Sequence, residues 1–592
     1  MMRGQMQFAA FAAWSCLAVL TASGTARGQE KGQSGGKMPC YFGTPESGAR
    51  RVDGIRSCTL CHGRTGASSE LALPDFQFED DGFVLLNELV TWAKDDKHYQ
   101  AYAVLHNDRS KEMARRLGIV EDPKDPNSKS LIHLDARCLG CHSSVPLKQI
   151  PRRDGAPNLA SVDTLADPRY NLGVSCEGCH GPSSKLEGDK AAGGWAAAHW
   201  QDPKWRTMPA GEKYNDYGFW DVRSARSRAK ICLSCHVGNV DEGKVVTHEM
   251  YAAGHPPLPS FELVGFVAQE PRHWRNLEDK APKIRDAFLK ARGEKMEADE
   301  LRQTRALMVS ALMSVSESMR LSADLIEVPA GASVSGSTWP ELANFSCYAC
   351  HHDLKRDGWR QSRPRTSVPG RPTLHEWPTA MAMIAAGVLG EQDELKKQMD
   401  EVQTALNAAP FGENKQLLAA TRKLADTADT MAVQLEAKVL READGKEILK
   451  KIATYGSEDL YDYDTARQLV WAYERVYAEL LKKADKSAPA AATEGEVDQA
   501  KESENTSKAL AWKGWMVQEK PLTESQQILK SLESSLVLDL RTGSTTTTKF
   551  PGERQARPQT DVDLSKTLPV LGSYDPATVQ GAFKRLLVQP AP

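Results

Sequence analysis

The sequence predicts a mainly α-helical fold, loop-rich over its first two thirds and regularly helical after that. Three observations predict it. Apolar residues recur at helical spacing over long stretches, strand signals are sparse, and five Cys-x-x-Cys-His pentapeptides punctuate the first 351 residues. The pentapeptides are Cys58-Thr-Leu-Cys61-His62, Cys138-Leu-Gly-Cys141-His142, Cys176-Glu-Gly-Cys179-His180, Cys232-Leu-Ser-Cys235-His236 and Cys347-Tyr-Ala-Cys350-His351, and they use ten of the 12 cysteines.

This pentapeptide is the attachment signature of c-type haem. Its two thiols form thioethers with the porphyrin, and the adjacent imidazole becomes the proximal iron ligand. A redox pair or half a zinc site would account for Cys-x-x-Cys, but not for a histidine after every second cysteine. Five covalent haem c groups are therefore expected, with proximal ligands His62, His142, His180, His236 and His351. The fold class becomes a loop-rich multihaem cytochrome domain followed by a helical C-terminal region, the haems supplying much of the first part's core.

The N-terminus agrees with that chemistry. Arg3 precedes an apolar run from Phe8 to Leu20, and small residues follow to Ala26. The run is short for a membrane span and has the layout of a secretory signal over residues 1–28. Haem is attached to such chains outside the cytoplasmic membrane, so the expected compartment is the periplasm. No stable membrane insertion is expected after cleavage, and a net charge of −3 predicts no nucleic-acid patch. Cys40, left over after export, reads as a small buried residue.

A pentahaem domain is expected over 29–365. Within it, helices are predicted at Leu86–Leu105 and over Ile284–Leu325, where Met308, Leu312, Val315 and Met319 keep core-like spacing. A methionine stripe of that kind is packing more often than coordination. Neither Cys nor His occurs after His375, and the chain then reads as amphipathic helix over 366–482, with Leu395, Met399, Val402 and Leu406 on one stripe. Residues 483–508 are low in complexity and read as a flexible linker. In the C-terminal segment 509–592, helices are predicted at Gln526–Leu540 and Ala577–Val588, with a Thr-rich loop between them.

The sixth ligand decides whether a haem only carries electrons or also binds substrate. Of 14 histidines, nine lie outside the motifs: His98, His106, His133, His199, His248, His255, His273, His352 and His375. Candidate distal ligands are His98, His199, His248, His255 and His273. Tryptophans 195, 200, 205, 220 and 274 read as covers for macrocycle faces. Arg223, Arg226, Arg228 and Lys230 read as partners for haem propionates or as an exposed turn.

The segment Gly173-Val-Ser-Cys176-Glu-Gly-Cys179-His180-Gly181-Pro182 resembles the third haem site of the tetrahaem cytochrome c-554 family, known from ammonia-oxidising bacteria. Lys97-His98-Tyr99-Gln100-Ala101 is similar to the His-x-x-Ala segment that supplies a distal ligand there. His199 stands where that family places another, and His248 and His255 follow the fourth motif where it places a further one. The resemblance covers about 55–275 and implies closely packed haem pairs, a mostly helical fold and a five-coordinate haem at His142. The family's electron donor is hydroxylamine oxidoreductase. The fifth motif and everything beyond it depart from that pattern.

The function expected is electron transfer between periplasmic redox proteins through mostly bis-His haems, with no catalytic residue assigned. The alternative is an enzyme acting on a small nitrogen or sulfur compound at one five-coordinate haem. The helical C-terminal region could recruit a protein partner.

Overall fold

The computed structural model describes residues 50–63, 84–184, 194–202, 204–292, 295–328, 337–351, 368, 370–487, 522–536, 541–548, 557–563, 565 and 574–592. The predicted signal peptide, Cys40, His352 and residues 488–508 of the predicted linker lie outside them. Every described residue falls within one compact unit, Met38–Pro592.

Short helices carry the motifs. The first motif ends α1 (Arg56–His62), and α2 (Glu88–Asp95) follows. The second and third lie in α3 (Ala136–His142) and α4 (Cys176–His180). His199 sits on α5 (Gly194–Gln201), the fourth motif closes α6 (Ala225–His236), and His248 opens α7 (His248–Ala253). The fifth motif forms a tighter 3-10 turn, Cys347–Ala349, in which the His351 N–H donates to the Cys347 carbonyl (2.8 Å). Helical winding explains the spacing: positions i, i+3 and i+4 share a face, so two thiols and an imidazole project together. A small antiparallel pair, β1 (Arg152–Arg153) with β2 (Ala156–Ala160), lies between the second and third motifs.

Two predicted long helices are broken. The Leu86–Leu105 stretch is α2 followed by 3-10 turns at Lys97–Gln100 and Ala103–His106. Asp96 ends α2 in an extended conformation, where its carboxylate accepts from the His98 backbone N–H (2.8 Å). The Ile284–Leu325 stretch is α8 (Pro282–Arg292) and α9 (Arg302–Glu327). The start of α9 is set from far away: Glu479 accepts from the N–H groups of Gln303 (3.0 Å) and Thr304 (2.7 Å). Periodicity cannot reveal a cap supplied 175 residues downstream.

The C-terminal helices are α10 (Trp377–Leu389), α11 (Gln392–Ala408), α12 (Asn414–Glu436), α13 (Glu442–Glu458), α14 (Tyr463–Ser487), α15 (Glu524–Leu536) and α16 (Pro576–Leu587). They pack around α9, whose Leu307, Met308, Leu312 and Val315 are buried with Met381, Leu424, Ile448, Leu469 and Phe583. Each such side chain contributes about 1.5–3 kcal/mol by leaving water. The methionine stripe is core. The same core reaches Ala229 and Leu233 on α6, so it runs unbroken across residue 366 and backs the fourth motif. Arg226 reinforces that contact through two bonds to Asp429 on α12 (2.9 and 3.0 Å), which spends it on protein rather than on a propionate. Residues 483–487 of the predicted linker complete α14. The Thr-rich segment is not a loop: it is β3 (Arg541–Thr548), paired antiparallel with β4 (Arg557–Val562), as β-branched residues prefer.

Two outcomes test this packing. A Cβ on Gly456 of α13 would meet the Phe583 ring at 2.4 Å, so Gly456→Ala is expected to cost about 1–3 kcal/mol in urea unfolding by overpacking. Burial, then Glu533, pushes Glu474 up to about 8 from 4.5. A raised acid destabilises the fold once the unfolded chain can ionise, so this penalty is absent below pH 4.5 and grows until about pH 8. Glu474→Gln should match the parent protein in acid and exceed its urea midpoint above pH 8.

Candidate metal centres

Each motif histidine has one of the predicted distal histidines as its neighbour. The His62 and His199 rings have centroids 5.8 Å apart with planes inclined 26°, and those of His248 and His351 lie 6.3 Å apart at 25°. With metal–nitrogen bonds of about 2.0–2.1 Å, two imidazoles bracketing one metal have centroids roughly 6.3 Å apart. The other three pairs lie within electrostatic reach. Burial and then His273 push His180 down to about 4; burial and then His98 do the same to His236; burial and then His142 do so to His255. Burial and then His62 likewise push His199 down to about 4. These imidazoles are neutral near pH 7, the form that binds metal.

Ring nitrogens are also allotted in a pattern. Nδ1–H donates to a backbone carbonyl in His142 (Ala101, 2.5 Å), His199 (Trp195, 3.3 Å), His255 (Pro256, 2.7 Å) and His273 (Pro271, 3.2 Å). It faces a carboxylate in His62 (Glu88 Oε2, 2.9 Å) and His98 (Asp96 Oδ1, 3.0 Å). In all six, Nε2 is left for another partner, the arrangement that metal-ligating histidines adopt. His375 is the reverse case: its Nε2 is held by the Ala343 carbonyl (2.9 Å). His106 faces His133 with centroids 4.8 Å apart, too close for a metal between them.

The motifs also approach one another. The Cys58 and Cys176 side chains lie within electrostatic reach of each other, as do those of Cys141 and Cys235. Gly173 makes part of this possible. At φ +69° its Cα lies against the His98 carbonyl, and a Cβ would meet that oxygen at 2.3 Å. The next residue, Val174, donates its N–H to the same oxygen (3.0 Å), which fastens the third motif's loop to the segment carrying His98.

Aromatic residues line these groups. Trp195 is buried, donates Nε1–H to the Gly181 and Pro182 carbonyls (3.0 Å each), and lies 6.2 Å from the His180 ring and 6.1 Å from His199. Trp274 meets His273 edge-on at 5.0 Å. Trp205 and Trp220 are buried, whereas Trp200 is 44% exposed. The Nε of Arg228 is buried without a hydrogen-bond partner among the described residues, in reach of Cys232.

Sequence reasoning missed Glu88, Asp96 and Glu341, the carboxylates that position ligand candidates. Asp96 stands two residues from His98 and could have been found from that spacing. Glu88 lies 26 residues from His62 and left no signal.

The residues fit a porphyrin iron. Two thiols and an imidazole lie on one short helix or turn at each motif, and a second imidazole lies beside that histidine or within electrostatic reach of it. Among the described residues, no three His, Cys, Asp or Glu side chains converge as a bare metal ion needs. No helix among them is long and apolar enough to cross a membrane. No curated protein and no solved structure matches the chain. A family model described as cytochrome c554 and c-prime matches residues 87–181, the span that holds His98 and the second and third motifs. With haem attachment and electron transfer implied by that match, residues 87–181 form a cytochrome c554-type domain within a mainly helical chain.

Proposed function

We propose that the chain is an exported electron-transfer protein holding five haem c groups, each between two imidazoles. The observation that carries this reading is a non-motif histidine near each motif histidine: the His62 and His351 rings lie near those of His199 and His248, and His142, His180 and His236 have His255, His273 and His98 within electrostatic reach. Haem supplies one-electron iron chemistry, at low potential when both axial ligands are imidazoles rather than methionine.

The chain's own residues do the rest. The ten motif cysteines tether. Backbone carbonyls, with Glu88 and Asp96, hold Nδ1–H of six ligand candidates and so aim Nε2. Trp195 and Trp274 pack against ligand rings and exclude water. His255 beside His142 opposes an open second site, and with it the enzyme reading. Donor and acceptor are other exported redox proteins in this reading.

Three measurements test it. Intact mass of protein matured by an exporting host should show five covalent haems; colourless or zinc-loaded folded material rejects the proposal. Carbon monoxide should leave the reduced spectrum unchanged, whereas His199→Ala or His255→Ala should each create one reactive haem and His375→Ala none. A reactive iron in the unaltered protein would instead favour the enzyme. Glu88→Ala, which removes the acceptor that makes His62 a stronger donor, should raise the potential of one haem and leave the others in place.

A further inference from the structure

The fifth motif lies outside the span that matches the family model, so its place relative to the others is read from the structure. One short helix answers it. At its start, α7 carries His248, whose ring lies 6.3 Å from His351 of the fifth motif. Just past its end stands His255, the neighbour of His142 of the second motif. Gly254 turns the chain at φ +120°, and the His255 N–H returns to the Met250 carbonyl (2.9 Å), which keeps His255 folded onto the helix. Seven residues at 1.5 Å rise separate the two histidines by no more than about 10 Å along the axis.

Two further contacts lock both ends. Glu341, six residues before the fifth motif, accepts from the His248 backbone N–H (2.8 Å), the Ala343 N–H (3.0 Å) and the Ser337 hydroxyl (2.7 Å). It is buried and pins the fifth motif's segment to the start of α7. Tyr251, within α7, lies 6.1 Å from the His255 ring and within electrostatic reach of Cys347. Glu249, also on α7, is in reach of Arg137 beside the second motif.

Resting on the ligand pairs proposed above, we infer that α7 is a bridge seating the second and fifth haems side by side, so that the fifth extends the haem set from the second. Because Cys141 lies within electrostatic reach of Cys235, the second site then stands between the fourth and the fifth. Glu341 acts as a positioning residue for that junction.

Electron paramagnetic resonance of the fully oxidised protein tests this. His248→Ala and His255→Ala should each convert one low-spin haem to high-spin; if neither does, the ligand pairing itself is wrong. In the double variant, two neighbouring high-spin irons should couple magnetically, and the high-spin signal should be broadened and smaller than the sum of the single variants. The His199→Ala/His248→Ala double variant, which opens two sites that α7 does not join, should give the simple sum. Single variants that turn high-spin with a His248→Ala/His255→Ala spectrum equal to their sum would overturn the bridge while sparing the ligands. Should the alanine variants fold poorly, His248→Met keeps six ligands. Its potentiometric titration should then move two haem transitions, the fifth and the second, and movement of the fifth alone would likewise overturn the bridge.

Discussion

An imidazole has two ring nitrogens, and this fold commits one of them so that the other has a fixed direction. Six of the ten histidines in the proposed ligand set have Nδ1 held by a carbonyl or carboxylate; four of these anchors lie within four residues, while Glu88 and Ala101 reach His62 and His142 from 26 and 41 residues away. The rest of the first half follows from that need. Several of its helices are short and carry one motif or one opposing histidine before the chain turns away. Its 3-10 turns and positive-φ glycines bring loops against one another where regular elements would hold them apart. Its buried apolar side chains fall in separate clusters, one around Tyr102, Ile132 and Leu139 and one around Trp195, Trp205 and Tyr217.

The C-terminal half solves a different problem. It builds an ordinary helical core around α9, and that core reaches back under α6 and the fifth motif. Tyr348, inside the fifth motif, packs against it, and the Ser346 N–H donates to the Thr373 carbonyl (2.8 Å). The region without Cys or His is thus in direct contact with motif-bearing segments. Its burial energy, of the order of a few kcal/mol per large side chain, is available to hold the fourth and fifth motifs in place.

What could be read in advance depended on how local the signal was. The pentapeptides, the methionine stripe of α9 and the stripe of Leu395, Val402 and Leu406 are local patterns, and each expresses a single helical face. The break at Asp96 was missed because a carboxylate two residues from His98 competes with the helix for its backbone. The break before α9 was missed because Glu479 and the Leu440 carbonyl reach it from another part of the chain. The Thr-rich strand was read as a loop because strand propensity is expressed only when a partner strand exists.

By itself the sequence determined the chemistry on offer: ten thiols paired at helical spacing, an imidazole beside each pair, and a surplus of histidines before residue 376. Covalent geometry suffices for that, since i, i+3 and i+4 lie together in any helix. Only tertiary structure decided which distal histidine faces which motif. His98 precedes the second motif yet neighbours the fourth, and His248 precedes the fifth by about a hundred residues yet faces it. Such pairings arise where separate helices and loops pack against one another, and nothing in the order of residues along a chain encodes that distance.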